Sequence, residues 1–213
     1  MLERIPHAEE AIEGLERTAA YEESHRRYER IPYRGLLKAF RDLHMQGESL
    51  EVGAGTGELA AFLAADHPDL RITALDLSDD MIQRARERMR REGLEGRVRP
   101  LSGDVNDAAF LSGLGRFDVI YSAFSLHHWQ DPAGSIRNLW SALRPGGMLY
   151  LYDLKRVPWL YVLPGRNGFF ESIRAAYRPR EVAGLLEEAG IGRFEIGTCL
   201  PFFMLYALAA RDG

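Results

Sequence analysis

Short apolar runs alternate with amphipathic stretches along most of this chain. The apolar runs predict strands at 49–52, 70–76, 98–101, 117–122, 148–152, 194–196 and 203–209. Apolar residues at helical spacing predict helices over 8–30, 36–43, 58–67, 78–92, 107–114, 132–143 and 179–189. Strands that alternate with helices in this way favour βαβ units, and therefore an α/β fold with a mostly parallel sheet.

Composition narrows the class of protein. The chain has 213 residues, 46% of them hydrophobic, which is enough for one α/β domain or a domain with a modest lid. A net charge of −4 argues against nucleic acid as a partner, because nucleic-acid binding usually needs a basic face. The single cysteine, Cys199, fits a reducing cytoplasm. The N-terminal residues do not resemble a signal peptide, and the longest apolar run, 202–210, is too short to span a bilayer.

Residues 50–60, Leu-Glu-Val-Gly-Ala-Gly-Thr-Gly-Glu-Leu-Ala, predict the end of a buried strand, a glycine turn and the first turn of a helix. Such a turn lets a ligand lie against bare peptide, and the helix amides behind it favour an electron-rich group. A dinucleotide-binding turn would need Gly or Ala at position 58, where this chain has Glu58. An acidic side chain there would repel a pyrophosphate. The turn is better suited to a nucleoside that carries an amino-acid tail.

The run Glu51-x-Gly53-x-Gly55-x-Gly57 resembles the first motif of the class I S-adenosylmethionine-dependent methyltransferases. The resemblance extends from about residue 47 to 209. It implies a Rossmann-like sheet of seven mostly parallel strands, the last antiparallel, with helices on both faces. It also implies S-adenosylmethionine as cofactor. The positions that bind this cofactor in the family correspond here to Glu51, Gly53, Ala54, Gly55, Thr56, Gly57, Asp76, Leu77, Met81, Gly103, Asp104, Val105, Ser122 and Ala123.

Two carboxylates in this set have specific expected roles. Asp76 ends the second predicted strand, where it can accept hydrogen bonds from both hydroxyls of a ribose; the alternative is an acid that caps the helix at Ser78. The resemblance implies that Asp104 accepts from the adenine amino group, although Gly103 and Asn106 would also suit an ordinary turn. Leu77 and Met81 would then cover the adenine with apolar surface.

The fourth strand is followed by Ser-Leu-His-His-Trp at 125–129, which resembles the Leu-His-His stretch of small-molecule methyltransferases. The Asn/Asp/Ser-Pro-Pro-aromatic motif of nucleic-acid amino-methyltransferases is absent from this place. A histidine is suited to remove a proton at neutral pH, so His127 and His128 are the candidate catalytic residues. The alternative is that one of them only bonds the backbone. No third metal-binding side chain lies at a suitable spacing from this histidine pair, so we expect no bound metal.

Two further segments are candidates for the acceptor side. The predicted helix at 8–30 carries Tyr21 and Tyr28 on one face, which favours either a lid over the ligand or a plain surface helix. We therefore predict a helical cap over residues 1–46 and a cofactor-binding domain over 47–213. The segment 157–165 contains Trp159 and Tyr161 and is too apolar for a solvated loop. It could line an acceptor pocket or form a contact between subunits of a homodimer.

These observations predict methyl transfer from S-adenosylmethionine to a small-molecule acceptor whose identity the sequence does not give. Two other classes stay open. One is a nucleotide-dependent oxidoreductase of Rossmann type, which Glu58 disfavours. The other is a non-catalytic protein that keeps S-adenosylmethionine as a structural ligand.

Overall fold

A computed structural model describes residues 3–6, 32–162, 168–200 and 202–213 of the chain. Within these residues seven strands form one sheet in the order β3-β2-β1-β4-β5-β7-β6. They are β1 (Gly47–Val52), β2 (Leu70–Asp76), β3 (Val98–Ser102), β4 (Phe117–Ala123), β5 (Leu143–Leu154), β6 (Glu195–Cys199) and β7 (Met204–Ala210). Strands β1 to β5 pair in parallel, whereas β7 runs antiparallel to both of its neighbours. The predicted fold class is confirmed.

The chain reverses its direction of travel across the sheet between β1 and β4. From β1 it builds outward through β2 to β3, and it then returns to place β4 on the other side of β1. In open α/β sheets the connections on the two sides of such a point diverge, which leaves a crevice outside the carboxyl ends of the central strands. The glycine turn predicted from the sequence follows β1 directly, so it lies at this crevice.

Helices cover both faces of the sheet. They are α1 (Arg34–Asp42), α2 (Glu58–Asp66), α3 (Asp79–Glu92), α4 (Ala108–Gly113), α5 (Pro132–Ala142), α6 (Pro158–Tyr161), α7 (Gly168–Ala175) and α8 (Pro179–Glu188). One apolar cluster holds buried residues of α1, α2, α6 and α7, and a second holds those of α4, α5 and α8. None of these helices is long and apolar enough to cross a membrane. The predicted helix at 8–30 lies outside the described residues.

Helix α3 forms where the sequence predicts it. Ser78 is the N-cap and its hydroxyl accepts a hydrogen bond from the Met81 amide at 3.3 Å, while Asp79 and Asp80 occupy the first turn. Gly93 ends the helix in a left-handed conformation with φ of 67°. The buried side chains recur at helical spacing and are Met81, Ile82, Ala85 and Met89. The Ala85 and Met89 side chains of this helix lie against Gly57 of the glycine turn.

The segment before β5 differs from the prediction. The sequence 144–147 predicts a turn that precedes a strand at 148–152, but β5 already begins at Leu143 and continues to Leu154. Its pairing with β4 shifts register between Phe117 and Val119, and Gly146 has φ of 77°. Hydrogen bonds with Arg211, which follows β7, hold this irregular stretch in place. Long-range pairing of this kind is not visible in a local sequence pattern.

Helices α6 and α7 are absent from the prediction as well. The first has four residues and the second eight, and their apolar side chains are too few to display a helical period. Both follow β5, so they lie beyond the carboxyl edge of the sheet, where the glycine turn also lies.

Candidate active site

Three glycines in left-handed conformations shape the turn after β1. Gly53, Gly55 and Gly57 have φ of 73°, 54° and 74°. A Cβ on Gly53 would lie 2.2 Å from the Ser125 hydroxyl, and one on Gly57 would lie 2.9 Å from the Met89 methyl group. A Cβ on Gly55 would meet nothing within 4 Å. The outer two glycines therefore allow the turn to pack against neighbouring elements, while the middle one presents bare backbone to open space.

The turn borders a cleft between the carboxyl ends of β1 and β4. The cleft is lined by Tyr33, Glu51, Gly53, Ala54, Gly55, Thr56, Glu58, Leu59, Ala123 and Phe124. Six of the predicted cofactor residues thus lie together at one place: Glu51, Gly53, Ala54, Gly55, Thr56 and Ala123. Tyr33 and Phe124 are additional lining residues that the sequence analysis missed. Phe124 could have been found from its place directly after β4, but nothing local marks Tyr33.

Glu51 carries a buried carboxyl group at the floor of this cleft. Its side chain is 2% exposed, and the Tyr121 hydroxyl donates a hydrogen bond to its Oε2 atom at 3.2 Å. Burial raises the pKa of Glu51 to about 8, and the negative charge of Asp76 raises it further while the hydrogen bond from Tyr121 lowers it. A carboxyl group in this state can bind a cation, or donate a hydrogen bond when it is protonated.

Asp76 joins the end of β2 to the glycine turn. Its carboxylate accepts hydrogen bonds from the Gly55 amide at 2.7 Å and from the Ser78 amide at 2.9 Å. Burial raises its pKa, and these amide donors oppose that shift. The hydroxyl of Ser78, and not this carboxylate, caps α3. Asp76 therefore lies beside the cleft with its carboxylate fixed by backbone donors, at the place where a ribose was expected.

The other predicted cofactor residues lie along the neighbouring strand ends. The Gly103 amide donates to the Asp76 carbonyl at 3.0 Å, which connects the end of β3 to the end of β2. Asp104 is exposed and accepts from the Asn106 amide at 2.8 Å, so it forms the ordinary turn that the sequence also allowed. A turn of this kind leaves the second carboxylate oxygen of Asp104 to solvent or ligand.

The remaining members of the predicted cofactor set differ in exposure. Leu77 is 44% exposed, whereas Met81, Val105 and Ser122 are buried. Leu77 and Asp104 are thus the members of this set whose side chains reach the surface beyond β2 and β3.

Phe124 adopts a backbone conformation that is costly for a side chain with a Cβ. Its φ is 56°, and its amide donates to the Tyr152 carbonyl at 2.9 Å. This turn brings Ser125 against Gly53 and holds the Phe124 ring edge-on to Tyr33, with ring centroids 5.5 Å apart. Backbone strain of this kind is concentrated at functional sites. Here the strained turn places the Phe124 ring against Tyr33, so that two aromatic rings form one wall of the cleft.

His127 and His128 lie in a short 3-10 turn after β4, and their environments differ. His127 is 2% exposed, and its Nδ1 atom lies 2.7 Å from the carboxylate of Asp153. The same carboxylate accepts from the His127 amide at 2.9 Å and from the Leu154 amide at 2.7 Å. His128 is half-buried, with its ring centroid 4.3 Å from that of His127. Asp153 therefore fixes both the ring and the backbone of His127.

The N-terminal residues also contact this turn. Arg4 donates to the carbonyl oxygens of Ala175 at 2.6 Å and of His127 at 2.9 Å, and its guanidinium lies 4.2 Å from the centroid of the Tyr177 ring. Residues 3–6 are thus connected to the turn that carries the histidines. Tyr21 and Tyr28 lie outside the described residues.

A group of aromatic side chains lies at the carboxyl end of β5. Trp159 and Phe169 each contact Phe203, with ring centroids 6.4 and 5.5 Å apart, and we refer to these three residues as the aromatic surface. Trp159 is 56% exposed, and Tyr161 is half-buried in the same helix. The Lys155 amide donates to the Phe203 carbonyl at 2.7 Å, which fixes this surface at the same edge of the sheet as the cleft. In residues 3–6, 32–162, 168–200 and 202–213, no three His, Cys, Asp or Glu side chains converge as a metal site would require.

Comparison with known proteins adds independent information. Residues 50–149 match the family model described as a methyltransferase domain. The 27-O-demethylrifamycin SV methyltransferase of Amycolatopsis mediterranei is 33% identical over 109 residues, which is 51% of this chain and 39% of that protein. The ribosomal RNA small subunit methyltransferase C of Salmonella agona is 33% identical over 143 residues, or 65% of this chain and 40% of that protein. The chain thus spans about two fifths of the length of these two relatives.

A solved structure shares the fold over nearly the whole chain. The plantazolicin methyltransferase BpumL, crystallised in complex with S-adenosylhomocysteine, superposes with a TM-score of 0.72 at 16% identity and covers 92% of this chain and 89% of its own. The matched residues 50–149 contain the glycine turn, Asp76 and the two histidines. The chain is therefore similar to methyltransferases in residues 50–149, and it shares the fold of a methyltransferase over nearly its whole length.

Proposed function

We propose that this protein transfers the methyl group of S-adenosylmethionine to a small molecule with an apolar or aromatic body. The observation that carries the proposal is the cleft at the carboxyl ends of β1 and β4, where Gly55 presents open backbone and its amide is held by Asp76 at 2.7 Å. When bound, S-adenosylmethionine supplies an electrophilic methyl group on a sulfonium ion. The tasks of the chain are then to hold the cofactor, to align the acceptor and to exclude water.

Each part of the cofactor has a matching group in the cleft or beside it. In our proposal Asp76 accepts the ribose hydroxyls, and Asp104 and the amide of Val105 bind the adenine edge beyond β3. The amino-acid tail extends the other way, toward Glu51. The Tyr33 and Phe124 rings cover the region between them, where the sulfonium would lie. Aromatic faces attract such a cation.

The acceptor would approach from the side of β5. The aromatic surface lies at the same edge of the sheet as the cleft, and Trp159 exposes more than half of its side chain. Exposed aromatic groups of this kind favour an acceptor with its own apolar body. We further propose that His128 accepts a proton where the acceptor must lose one, while His127, held by Asp153, positions it.

The rRNA methyltransferase among the relatives raises nucleic acid as a second acceptor class. Two features of this chain weigh against it. The net charge is −4, and residues 122–125, which end β4 and follow it, are Ser-Ala-Phe-Ser in place of the motif of nucleic-acid amino-methyltransferases. The half-buried thiol of Cys199 is consistent with a cytoplasmic location, which we also propose.

The first test asks which class of cofactor the protein binds. We expect isothermal titration calorimetry to detect binding of S-adenosylhomocysteine and none of NAD, because Glu58 lies in the first turn of α2, where a pyrophosphate would meet its negative charge. Production of S-adenosylhomocysteine with an acceptor from a panel of phenols and heteroaromatic amines would then separate an enzyme from a non-catalytic binder. Tighter binding of NAD would contradict the proposal and favour an oxidoreductase.

Acceptor binding is the second test. Trp159→Ala should raise the KM for the acceptor about tenfold, with little change in the Kd for S-adenosylhomocysteine, because about 1.5 kcal/mol of aromatic contact is lost outside the cofactor cleft. Leu43→Ala is the matched control, since Leu43 is an exposed apolar residue near the amino-terminal edge of the sheet. If Trp159→Ala instead lowers the molecular mass measured by sedimentation and leaves KM unchanged, the aromatic surface is a homodimer contact.

A further inference from the structure

The short turn that carries the two histidines, Leu126–His128, is held from two distant parts of the chain, and we refer to it as the histidine turn. The Asp153 carboxylate accepts from the His127 amide at 2.9 Å and lies 2.7 Å from its ring atom Nδ1. The Arg4 guanidinium donates to the carbonyl of the same residue at 2.9 Å. Hydrogen bonds that involve charged groups are the stronger ones in proteins. His127 is therefore fixed on both sides of its Cα atom.

The hydrogen bond from Arg4 also fixes the backbone that leads to His128. The carbonyl of His127 and the amide of His128 belong to one peptide unit, which is planar. That amide donates to the Ser125 carbonyl at 2.9 Å. Arg4 and Ser125 thus hold opposite sides of one peptide plane. Because the His128 side chain projects from the Cα atom at the end of this plane, its direction depends on both contacts.

The same guanidinium joins the histidine turn to helix α7. Its Nε atom donates at 2.6 Å to the carbonyl of Ala175, the last residue of that helix, and its central carbon lies 4.2 Å from the centroid of the Tyr177 ring. Arginine side chains are favourable partners for the last carbonyls of a helix. Helix α7 also carries Phe169 of the aromatic surface. Arg4 therefore bridges the turn that bears the candidate base and the helix that bears part of the proposed acceptor surface.

A second arginine secures the end of α7 by itself. Arg156 is 3% exposed, donates to the Ala176 carbonyl at 2.9 Å and forms an ion pair with Glu181 of α8. The carbonyls of Ala175 and Ala176 thus each have an arginine donor, but only the bonds of Arg4 reach the histidine turn as well. Loss of the Arg4 side chain should therefore free this turn while α7 stays in place.

The cofactor side of the cleft is built from other strand ends. The glycine turn follows β1 and is bound by Asp76 at the end of β2. Arg4 instead contacts the segments that follow β4 and β5, on the other side of β1 in the sheet. A change at Arg4 should consequently alter the acceptor side and leave the cofactor side intact.

We propose that Arg4 is a positioning residue for methyl transfer, which fixes the peptide between His127 and His128 against the end of α7 and so sets where His128 meets the acceptor. The inference rests on the proposed function and adds a residue to the acceptor side of the same site. Arg4 acts through the backbone of His127 and is not itself a catalytic residue. A displacement of about 1 Å between reacting groups can lower a rate by about a hundredfold.

Arg4→Ala tests the proposal in the full chain. With a phenol from the acceptor panel, kcat should fall by about ten- to a hundredfold, because His128 loses its fixed direction. The KM for that phenol should change much less than kcat. The Kd for S-adenosylhomocysteine, measured by calorimetry, should change by less than about twofold, since the glycine turn and Asp76 keep their contacts.

Two further variants distinguish positioning from general stabilisation. Arg211→Ala is the matched control, because Arg211 also donates to backbone carbonyls, those of Trp140 at 3.0 Å and Leu143 at 2.7 Å, but at the amino-terminal edge of the sheet. It should lower the free energy of unfolding and leave kcat unchanged. Arg4→Lys keeps the positive charge but lacks the planar fork that reaches two carbonyls together, so it should recover little of the lost kcat.

Amide hydrogen exchange measures the histidine turn without any assay of activity. In Arg4→Ala we expect the amides of His127 and His128 to exchange at least about tenfold faster than in the parent chain, because the turn opens locally more often. The amide of Gly55, which donates to Asp76, should exchange at the parental rate. In Arg211→Ala all three amides should do so.

The outcomes separate this inference from the proposed function. Unchanged exchange at His127 and His128, an unchanged kcat, or an equal loss of kcat in Arg4→Ala and Arg211→Ala would each overturn the positioning role while the methyltransferase proposal stands. A loss of S-adenosylhomocysteine affinity as large as the loss of kcat would overturn it too. A parent chain that does not bind S-adenosylhomocysteine would contradict the proposed function itself, and with it the role of Arg4 in methyl transfer.

Discussion

Gly53→Ala is expected to weaken S-adenosylhomocysteine binding by at least about a hundredfold and to lower the free energy of unfolding by about 3 kcal/mol. Two costs combine. The backbone has φ of 73°, which any residue with a Cβ adopts only at a cost of about 1–2 kcal/mol. The new methyl group would also lie 2.2 Å from Oγ and 2.5 Å from Cβ of Ser125, so the loop after β4 must move away.

We expect the movement of the loop after β4 to be the cause of the lost S-adenosylhomocysteine binding. Ser125 accepts a hydrogen bond from the Trp129 indole at 2.8 Å, and Phe124 beside it forms a wall of the cleft. Displacing Ser125 therefore shifts Phe124 relative to Tyr33 and alters the space in which the cofactor would lie. Packed groups of this kind respond to a single methyl group because protein interiors hold few voids.

Gly93→Ala is the matched control for Gly53→Ala. Gly93 has φ of 67°, and a Cβ there would meet nothing within 4 Å. The control should cost about 1 kcal/mol of stability through backbone strain alone, and it should leave cofactor binding unchanged. Chemical denaturation and calorimetry measure the two quantities. Equal losses of stability and affinity in both variants would show that the contact with Ser125 is unimportant.

The sequence predicted the parts of the site that depend on local pattern. The glycine turn, Asp76 and the N-cap at Ser78 are recognisable because each depends on residues within a few positions of it. The mostly parallel sheet of seven strands follows from the alternation of strands and helices together with the family resemblance. The turn, the strand end at Asp76 and the N-cap therefore lie where the sequence predicts them.

The parts that escaped prediction depend on contacts between distant segments. Asp153 binds His127 across 26 positions, and Tyr33, the residue before α1, contacts Phe124 from a distant part of the chain. The positive φ of Phe124 is set by its hydrogen bond to Tyr152 and by no glycine or asparagine in the sequence. Such features arise from packing, and a single sequence does not encode them in a readable local pattern.

Asp76→Ala is expected to weaken S-adenosylhomocysteine binding by about ten- to a hundredfold, or about 1.5–3 kcal/mol, because hydrogen bonds to a charged acceptor are lost. The carboxylate also accepts from the Gly55 and Ser78 amides at 2.7 and 2.9 Å. Its removal leaves these donors to water and loosens the glycine turn, so the free energy of unfolding should fall as well.

Asp76→Asn separates the two roles of this side chain. The amide keeps one oxygen that can accept from a backbone donor, but its NH2 group cannot accept from a ribose hydroxyl or from the second amide. We expect it to recover part of the lost stability and little of the lost affinity. Asp104→Ala is the comparison at the neighbouring strand end, where the exposed carboxylate accepts from Asn106 and should contribute less to both quantities. If Asp76→Ala binds S-adenosylhomocysteine as tightly as the parent chain, Asp76 serves only to fix the turn and the ribose lies elsewhere.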